Sequence, residues 1–169
     1  SKTLQQMIDT LATLPLLYQP GERWFYSIAV DVQGYLVEKI SGQPFDQFLE
    51  ERIFEPLGMV DTAFFVPAEK LDRLALTHGE DEEGALVLPE QRGDATRRPA
   101  GPSGGGGLYS TTMDYVRFTQ MVLNGGELDG VRIIKPETVK MMHTNQLPDG
   151  MEEISPMIST PGNKFGIDF

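Results

Sequence analysis

A joint of only two residues, Gly42 and Gln43, separates two predicted helices and constrains the fold of this chain more than any other feature. Residues 27–41 carry apolar side chains at three- and four-residue spacing, and Gly42 is a residue type that commonly ends helices. The residues predicted to share one helical face are Ile28, Val32, Tyr35, Leu36 and Ile40. Pro44 suits the first turn of the second helix, which we expect to end at 56–58. Helices joined this closely must turn sharply, which predicts a compact helical unit.

Helical periodicity recurs in three further segments, whereas strand signals are short. Residues 3–14, 111–124 and 136–143 repeat apolar side chains at helical spacing. In the second of these segments Thr111 and Asp114 have capping-box-like spacing. The apolar residues on one side of that helix are Tyr115, Phe118, Met121 and Val122. Residues 128–134, around Asp-Gly, predict a small hairpin, and residues 62–66 predict a short strand. The predicted fold class is therefore α+β, mostly α, with short hairpins.

Charge and composition exclude several classes of function. The net charge of −11 would repel a phosphate backbone, and no basic patch is present, so we predict no nucleic-acid partner. No apolar run approaches the length of a membrane span. Without Cys there is no disulfide framework, and the compartment, periplasmic or cytoplasmic, stays open. The chain starts with Ser1 rather than an initiator Met, so we expect that any leader lies outside it.

Residues 79–102 are predicted to form an irregular surface segment, because acidic and basic residues are mixed there with little periodicity. The run 80–83 holds four acidic residues but lacks the alternating ligand spacing and downstream Glu of a calcium loop. The two histidines, His78 and His143, are far apart and have no ligand spacing. We therefore predict no metal site.

Tyr26 lies where a turn gives way to a helix. Pro20-Gly21 is a turn signal, and Ser27 is a residue type that often precedes a helix. In this place a phenol can stand at the lip of a pocket, close to the positive end of the helix. The alternative is a buried cluster of aromatic side chains under the turn, and the local residues leave both interpretations open.

A run of four glycines precedes the predicted helix that starts near Thr111. A phosphate-binding loop needs Gly-Lys-Ser or Gly-Lys-Thr at its end, and Leu108 stands there instead, so nucleotide binding is rejected. The run 104–107 either allows close approach of backbone to a ligand or another segment, or is a flexible loop. Gly34, inside the predicted helix, also indicates close approach by another backbone, since Gly costs about 1 kcal/mol there relative to Ala.

Four stretches of the chain together resemble the serine β-lactamase-like family. This family holds class C β-lactamases, D-Ala-D-Ala carboxypeptidases and family VIII esterases. The stretches are 20–27 (PGERWFYS), 34–45 (GYLVEKISGQPF), 53–62 (IFEPLGMVDT) and 103–111 (SGGGGLYST). Each is weak by itself, but their order and gaps are specific and span almost the whole chain.

The resemblance implies a serine hydrolase that forms a covalent acyl-enzyme. In the family a Ser from a Ser-x-x-Lys motif attacks a carbonyl, and a Tyr from a Tyr-x-Asn motif moves the proton. The Tyr corresponds to Tyr26; a phenol is a poor base at neutral pH unless ammonium groups favour the phenolate. No metal or organic cofactor is implied. The expected substrate-pocket residues are Trp24, Ser27, Ile28, Ser103, Gly104, Gly105, Gly106 and Gly107.

The sequence departs from the family pattern at two points. Ile28 occupies the slot where the family usually has Asn, which shifts the expected substrate towards esters and away from β-lactams. No Ser-x-x-Lys and no Lys-Thr-Gly occur in the 169 residues. We therefore expect an internal piece of a longer protein, with a helical domain over 1–160 and the start of a strand of the α/β sheet over 161–169.

These observations predict a piece of an esterase or of a β-lactamase-like hydrolase, a group that includes penicillin-binding proteins. We expect this piece to be inactive by itself. Its substrate would be a small ester, amide or lactam. The alternative is a non-catalytic binding domain that keeps the family scaffold. An interrupted strand at 165–169 would be paired, either with a companion fragment of the same parent chain or with a second copy. A monomer by light scattering at all concentrations would contradict that pairing.

Overall fold

The computed structural model describes residues 2–88, 94–151 and 164–167. The helices are α1 (Leu4–Leu11), α2 (Ala29–Ser41), α3 (Phe45–Leu49), α4 (Glu55–Leu57), α5 (Thr112–Leu123) and α6 (Pro136–Met142). A π-helical turn (Glu50–Phe54) links α3 to α4, and a 3₁₀ helix covers Ala68–Arg73. The strands are β1 (Gly79–Glu80), β2 (Leu86–Val87), β3 (Glu127–Leu128) and β4 (Val131–Arg132). They form two antiparallel hairpins, which agrees with the predicted mostly helical class.

The joint between α2 and α3 has the sharp turn that the sequence predicts. Gly42 adopts the left-handed conformation with φ of 73°, and its N–H donates to the Glu38 carbonyl. The Glu38 side chain in turn accepts a hydrogen bond of 3.3 Å from the backbone N–H of Phe45. A side chain of α2 thereby satisfies an N–H at the start of α3, which has no partner within its own helix.

The second predicted helix is continuous from α3 to α4 but contains the π-helical turn. The hydrogen-bonding pattern changes to the wider π-helical one just before Pro56. The reason is that Pro56 has no N–H to donate, and its ring would crowd the carbonyl of Arg52 in a regular helix. The helix then ends at Gly58, with φ of 65°.

The buried apolar side chains form two clusters. The larger cluster joins the end of the α3–α4 helix to α5 and α6, and consists of Phe54, Leu57, Met59, Met121, Val122 and Val139. The smaller cluster, Leu4, Phe45 and Phe64, lies at the α1–α2–α3 end. Leu49 packs against both clusters, so one helix links the two parts of the core.

Two predicted helix faces differ from those in the structure. In α2, Ile40 is 85% exposed and Leu36 is 48% exposed, whereas Gly34 is buried. The reason is that Gly34 allows this side of α2 to lie against Phe45 and the glycine run. In α5, Tyr115 is exposed and Asp114 takes the buried position.

Two further segments also differ from prediction. Residues 62–66 form no strand but only a single bridge between Ala63 and Tyr109. The segment 79–102, expected to be irregular, contains the β1–β2 hairpin. Asp81 stabilises its turn, since the carboxylate accepts from the N–H groups of Glu83 and Ala85. Residues 89–93 lie outside the described part of the chain.

The hairpin at 128–134 is confirmed, with β3 and β4 paired around Asp129 and Gly130, both at positive φ. Near the C-terminus, Phe165 accepts from the N–H of Gln146 and Ile167 donates to the carbonyl of Met142. The strand predicted over 161–169 falls largely outside the described residues. That strand and the boundary near residue 160 stay predictions.

Candidate functional site

An open cleft of about 480 Å³ lies between the start of α2 and the loop that contains the glycine run. Seven of the predicted site residues line one side or the other, together with Val30 and Asp31. The predicted residues brought together here are Tyr26, Ser27 and Ile28 on one side, and Ser103, Gly105, Gly106 and Gly107 on the other. The two sides are at least 72 positions apart in the chain, so the cleft is a product of the tertiary fold.

Tyr26 is 58% exposed and lies at the cleft rather than in the apolar interior. Trp24 is its neighbour, with its ring centroid 6.4 Å from that of Tyr26 and 4.9 Å from that of Phe165. Trp24 is thus packed between aromatic rings and does not itself line the cleft. The phenol therefore stands at the lip of an accessible space, one of the two arrangements that the sequence allowed.

The turn from Ser27 into α2 holds the next two predicted residues. The Ser27 hydroxyl oxygen accepts a 3.2 Å hydrogen bond from the N–H of Ala29, which satisfies one of the free donors at the start of the helix. Ile28 occupies the N-cap position and is 48% exposed. The cleft therefore has an apolar side chain next to the phenol.

Glycine is required where the loop meets α2. A Cβ on Gly104 would lie 2.1 Å from the carbonyl oxygen of Val30, far closer than any real contact. A Cβ on Gly34 would lie 3.4 Å from the Gly104 Cα and 3.2 Å from the Phe45 ring. The close backbone approach that Gly34 indicated in the sequence is confirmed. Gly104 faces the helix, whereas the next three glycines line the cleft.

Asp31 ties the loop to the helix and was not predicted from the sequence. Its carboxylate accepts a 2.5 Å hydrogen bond from the Ser103 hydroxyl, and the Ser103 oxygen accepts one of 3.1 Å from the N–H of Gly105. The partners are 72 residues apart, so no local pattern links them. The available signal was an Asp in the first turn of a helix, a common helix-stabilising position that suggests no long-range partner.

A second cavity of about 310 Å³ lies between the 3₁₀ helix and the start of α5, away from Tyr26. At its edge Asp61 pairs with Lys70 at 2.7 Å and with Arg73 at 2.8 Å. Hydrogen bonds from Arg73 and Lys70 lower the pKa of Asp61 to about 2. The ion pairs stabilise the short 3₁₀ helix against the preceding turn.

Two hydroxyl groups and a buried carboxylate are hydrogen-bonded at this cavity, but they are not arranged as a nucleophile with a base. The Thr62 hydroxyl donates to the buried carboxylate of Asp114 at 2.9 Å and contacts the Ser110 hydroxyl at 2.8 Å. Asp114 also accepts from the backbone N–H of Asp61 at 2.7 Å. No imidazole or amine takes part in these contacts as a base, so the network is a structural link between α5 and the turn at 61–62.

Within residues 2–88, 94–151 and 164–167, no group of three or more acidic or histidine side chains is arranged to hold a metal ion. The helices described there are also too short or too polar to cross a bilayer.

Comparison with known proteins places the sequence among β-lactamase relatives. The Beta-lactamase family model matches residues 1–156. An uncharacterized protein of Mycobacterium tuberculosis is 40% identical over 164 residues, 95% of this chain and 41% of that protein. An Escherichia coli K12 protein provisionally named D-alanyl-D-alanine carboxypeptidase is 33% identical, over 85% of this chain and 37% of its own length. The lovastatin esterase of Penicillium rubens is 32% identical, over 84% of this chain and 35% of the esterase.

Solved structures give the same result for the fold. EstCE1, a hydrolase with promiscuous acyltransferase activity, superposes with a TM-score of 0.78 and 28% identity, over 99% of this chain and 45% of EstCE1. The octameric penicillin-binding protein homologue from Pyrococcus abyssi superposes with a TM-score of 0.72 and 26% identity, over 98% of this chain and 34% of the homologue. The chain thus spans less than half the length of each of these five proteins.

Proposed function

This chain belongs to the beta-lactamase family of serine hydrolases, and we propose that it forms part of an esterase in which Tyr26 transfers a proton during acyl-enzyme chemistry. The observation that carries the proposal is the position of the Tyr26 phenol, exposed at a cleft whose opposite side is the glycine loop. A proton carrier must reach the reacting atoms, and an exposed hydroxyl at a cleft meets that requirement.

The nucleophile would come from a Ser-x-x-Lys motif outside these 169 residues, since the sequence contains none. That motif's lysine would stand beside the phenol and stabilise the phenolate. The serine would attack the ester carbonyl and lose its proton towards Tyr26. The alcohol would then leave with a proton, and water would hydrolyse the acyl-enzyme.

Esters are the substrates that the cleft supports best. Ile28 presents an apolar side chain where an amide-binding Asn would be expected, and it cannot donate or accept a hydrogen bond. An acyl chain would contact Ile28 without leaving a polar group unpaired. The lovastatin esterase and EstCE1, both named for acyl chemistry, are consistent with this choice.

Replacement of Tyr26 in the full-length protein that contains this chain tests the proposal. Tyr26→Phe keeps the ring but removes the proton-carrying oxygen, so kcat/KM for p-nitrophenyl butyrate should fall by about 10²–10⁴-fold. The matched control is Tyr115→Phe, which removes an equally exposed hydroxyl on α5, away from the cleft, and should keep kcat/KM within about twofold.

The same assay distinguishes the enzyme from a non-catalytic relative. The full-length protein should show a burst of p-nitrophenol, and the separate 169-residue chain should show none because it lacks the nucleophile. Retention of wild-type kcat/KM by Tyr26→Phe would contradict the role of Tyr26. A full-length protein without any burst, or one whose sequence lacks Ser-x-x-Lys, would favour the binding domain.

A further inference from the structure

We propose that Asp31 is a positioning residue that sets the width of the cleft opposite Tyr26 and thereby selects the length of the acyl group. The inference rests on the esterase function proposed above. It concerns the wall of the cleft rather than the proton carrier, and it comes from the contacts between α2 and the glycine loop.

The first step is that one hydroxyl group joins the loop to the helix. Ser103 donates its only hydroxyl proton to Asp31 at 2.5 Å, and the same oxygen accepts the N–H of Gly105 at 3.1 Å. A hydroxyl that donates to a carboxylate makes one of the stronger kinds of neutral–charged hydrogen bond. The Asp31 carboxylate therefore fixes the direction in which Gly105 leaves the helix surface.

The second step is that the loop can hold only one position against α2. Gly104 lies so close to the Val30 carbonyl that no inward movement is possible. Outward movement is opposed by the hydrogen bond between Asp31 and Ser103. A Cβ on Gly105 would itself lie 3.3 Å from the second carboxylate oxygen of Asp31, so the two groups are already in close contact.

The third step is that this position sets the space available to a substrate. The wall opposite Tyr26 consists of Ser103, whose hydroxyl is bound to Asp31, and of Gly105, Gly106 and Gly107, which present only backbone. Such a wall cannot be narrowed by rotamer changes, and its distance from Tyr26 and Ile28 depends on where the loop is held. If the Asp31–Ser103 link is lost, the wall can move away and longer acyl groups gain room.

The test uses the full-length protein and p-nitrophenyl esters of acetate and octanoate. For Asp31→Ala and for Ser103→Ala, the ratio of kcat/KM for octanoate to that for acetate should rise by at least about tenfold, a size typical of hydrophobic pocket discrimination. This ratio is independent of the amount of folded enzyme, so a purely structural loss would not move it. Asp31→Asn, whose amide oxygen still accepts from Ser103, should stay near the wild-type ratio.

Asp46→Ala is the matched control. Asp46 also lies in the first turn of a helix and also binds a distant loop, through a 2.5 Å ion pair with Arg98, but it does not line the cleft. It should lower the melting temperature and leave the ester ratio unchanged. The double variant Asp31→Ala/Ser103→Ala should match either single variant, because both remove the same link.

Hydrogen exchange provides a readout that needs no turnover. In Asp31→Ala the amide of Gly105 should exchange at least about tenfold faster than in wild type and in Asp46→Ala. The reason is that its acceptor, the Ser103 hydroxyl oxygen, is no longer held by the Asp31 carboxylate. An unchanged ester ratio in Asp31→Ala, or unchanged exchange at Gly105, would overturn the inference. A Tyr26→Phe enzyme with full activity would instead overturn the proposed function, so the two failures are distinguishable.

Discussion

At the residue level, the amino-acid type at two positions beside the cleft is determined by contact with a segment that is distant in sequence. Gly104 is the clearest case, since its hydrogen atom occupies the space where a side chain would meet the Val30 carbonyl. Asp31 likewise depends on a distant segment, through a hydrogen bond from the Ser103 hydroxyl, 72 residues away. For neither residue does the neighbouring sequence indicate the distant partner.

Gly104→Ala should lower the free energy of unfolding by about 1–3 kcal/mol, because the new methyl group must displace either the loop or the first turn of α2. Urea denaturation followed by circular dichroism measures the change. Gly106→Ala is the matched control in the same loop, where an added Cβ meets nothing within 4 Å. Equal stabilities of the two variants would show that the loop is not pressed against α2.

At the level of elements, carboxylate contacts hold both the 3₁₀ helix and α5 to the turn at 61–62. The 3₁₀ helix has six residues and no side-chain cap, and it is held to the preceding turn through Asp61. The helix α5 has its own cap, since the Thr111 hydroxyl accepts the Asp114 N–H at 3.2 Å. The Asp114 carboxylate binds the turn at 61–62 and does not complete a capping box.

The Asp61 ion pairs should make stability depend on pH in the acid range. The pKa of Asp61 is about 2 in the folded state, against 3.8 for a free side chain, so its contribution is complete above about pH 4. It is lost as the pH falls through 2. Urea unfolding between pH 2 and 6 should therefore show a weaker pH dependence for Asp61→Asn than for wild type. Parallel profiles for the two proteins would contradict this prediction.

At the level of the whole molecule, two apolar clusters are joined through the helix that runs from α3 to α4. Leu57 is fully buried near the end of this helix, in contact with side chains of α5 and α6, and Leu49 contacts both clusters. The end of one helix therefore anchors the half of the molecule that holds α5 and α6 to the half that holds the cleft.

Leu57→Ala should lower the free energy of unfolding by about 2–5 kcal/mol, since it removes buried methyl groups and leaves a cavity. Leu123→Ala is the control, because Leu123 is 79% exposed, and it should change stability by less than about 0.5 kcal/mol. Urea denaturation of both variants measures the difference. A loss below 1 kcal/mol for Leu57→Ala would contradict this role of Leu57.

The helices, the Gly42 joint and the Asp129-Gly130 hairpin followed from the amino-acid sequence, because each is encoded by residues close together in the chain. The family followed from the order and spacing of four short motifs. Periodicity, glycine stops and turn residues act over a few positions, and the family motifs are contiguous. The buried faces of α2 and α5, the Asp31–Ser103 link and the cleft beside Tyr26 arose only on folding. They depend on contacts such as Gly34 with Gly104 and Asp114 with Thr62, between residues 70 and 52 positions apart. Such contacts form between surfaces that local patterns do not describe.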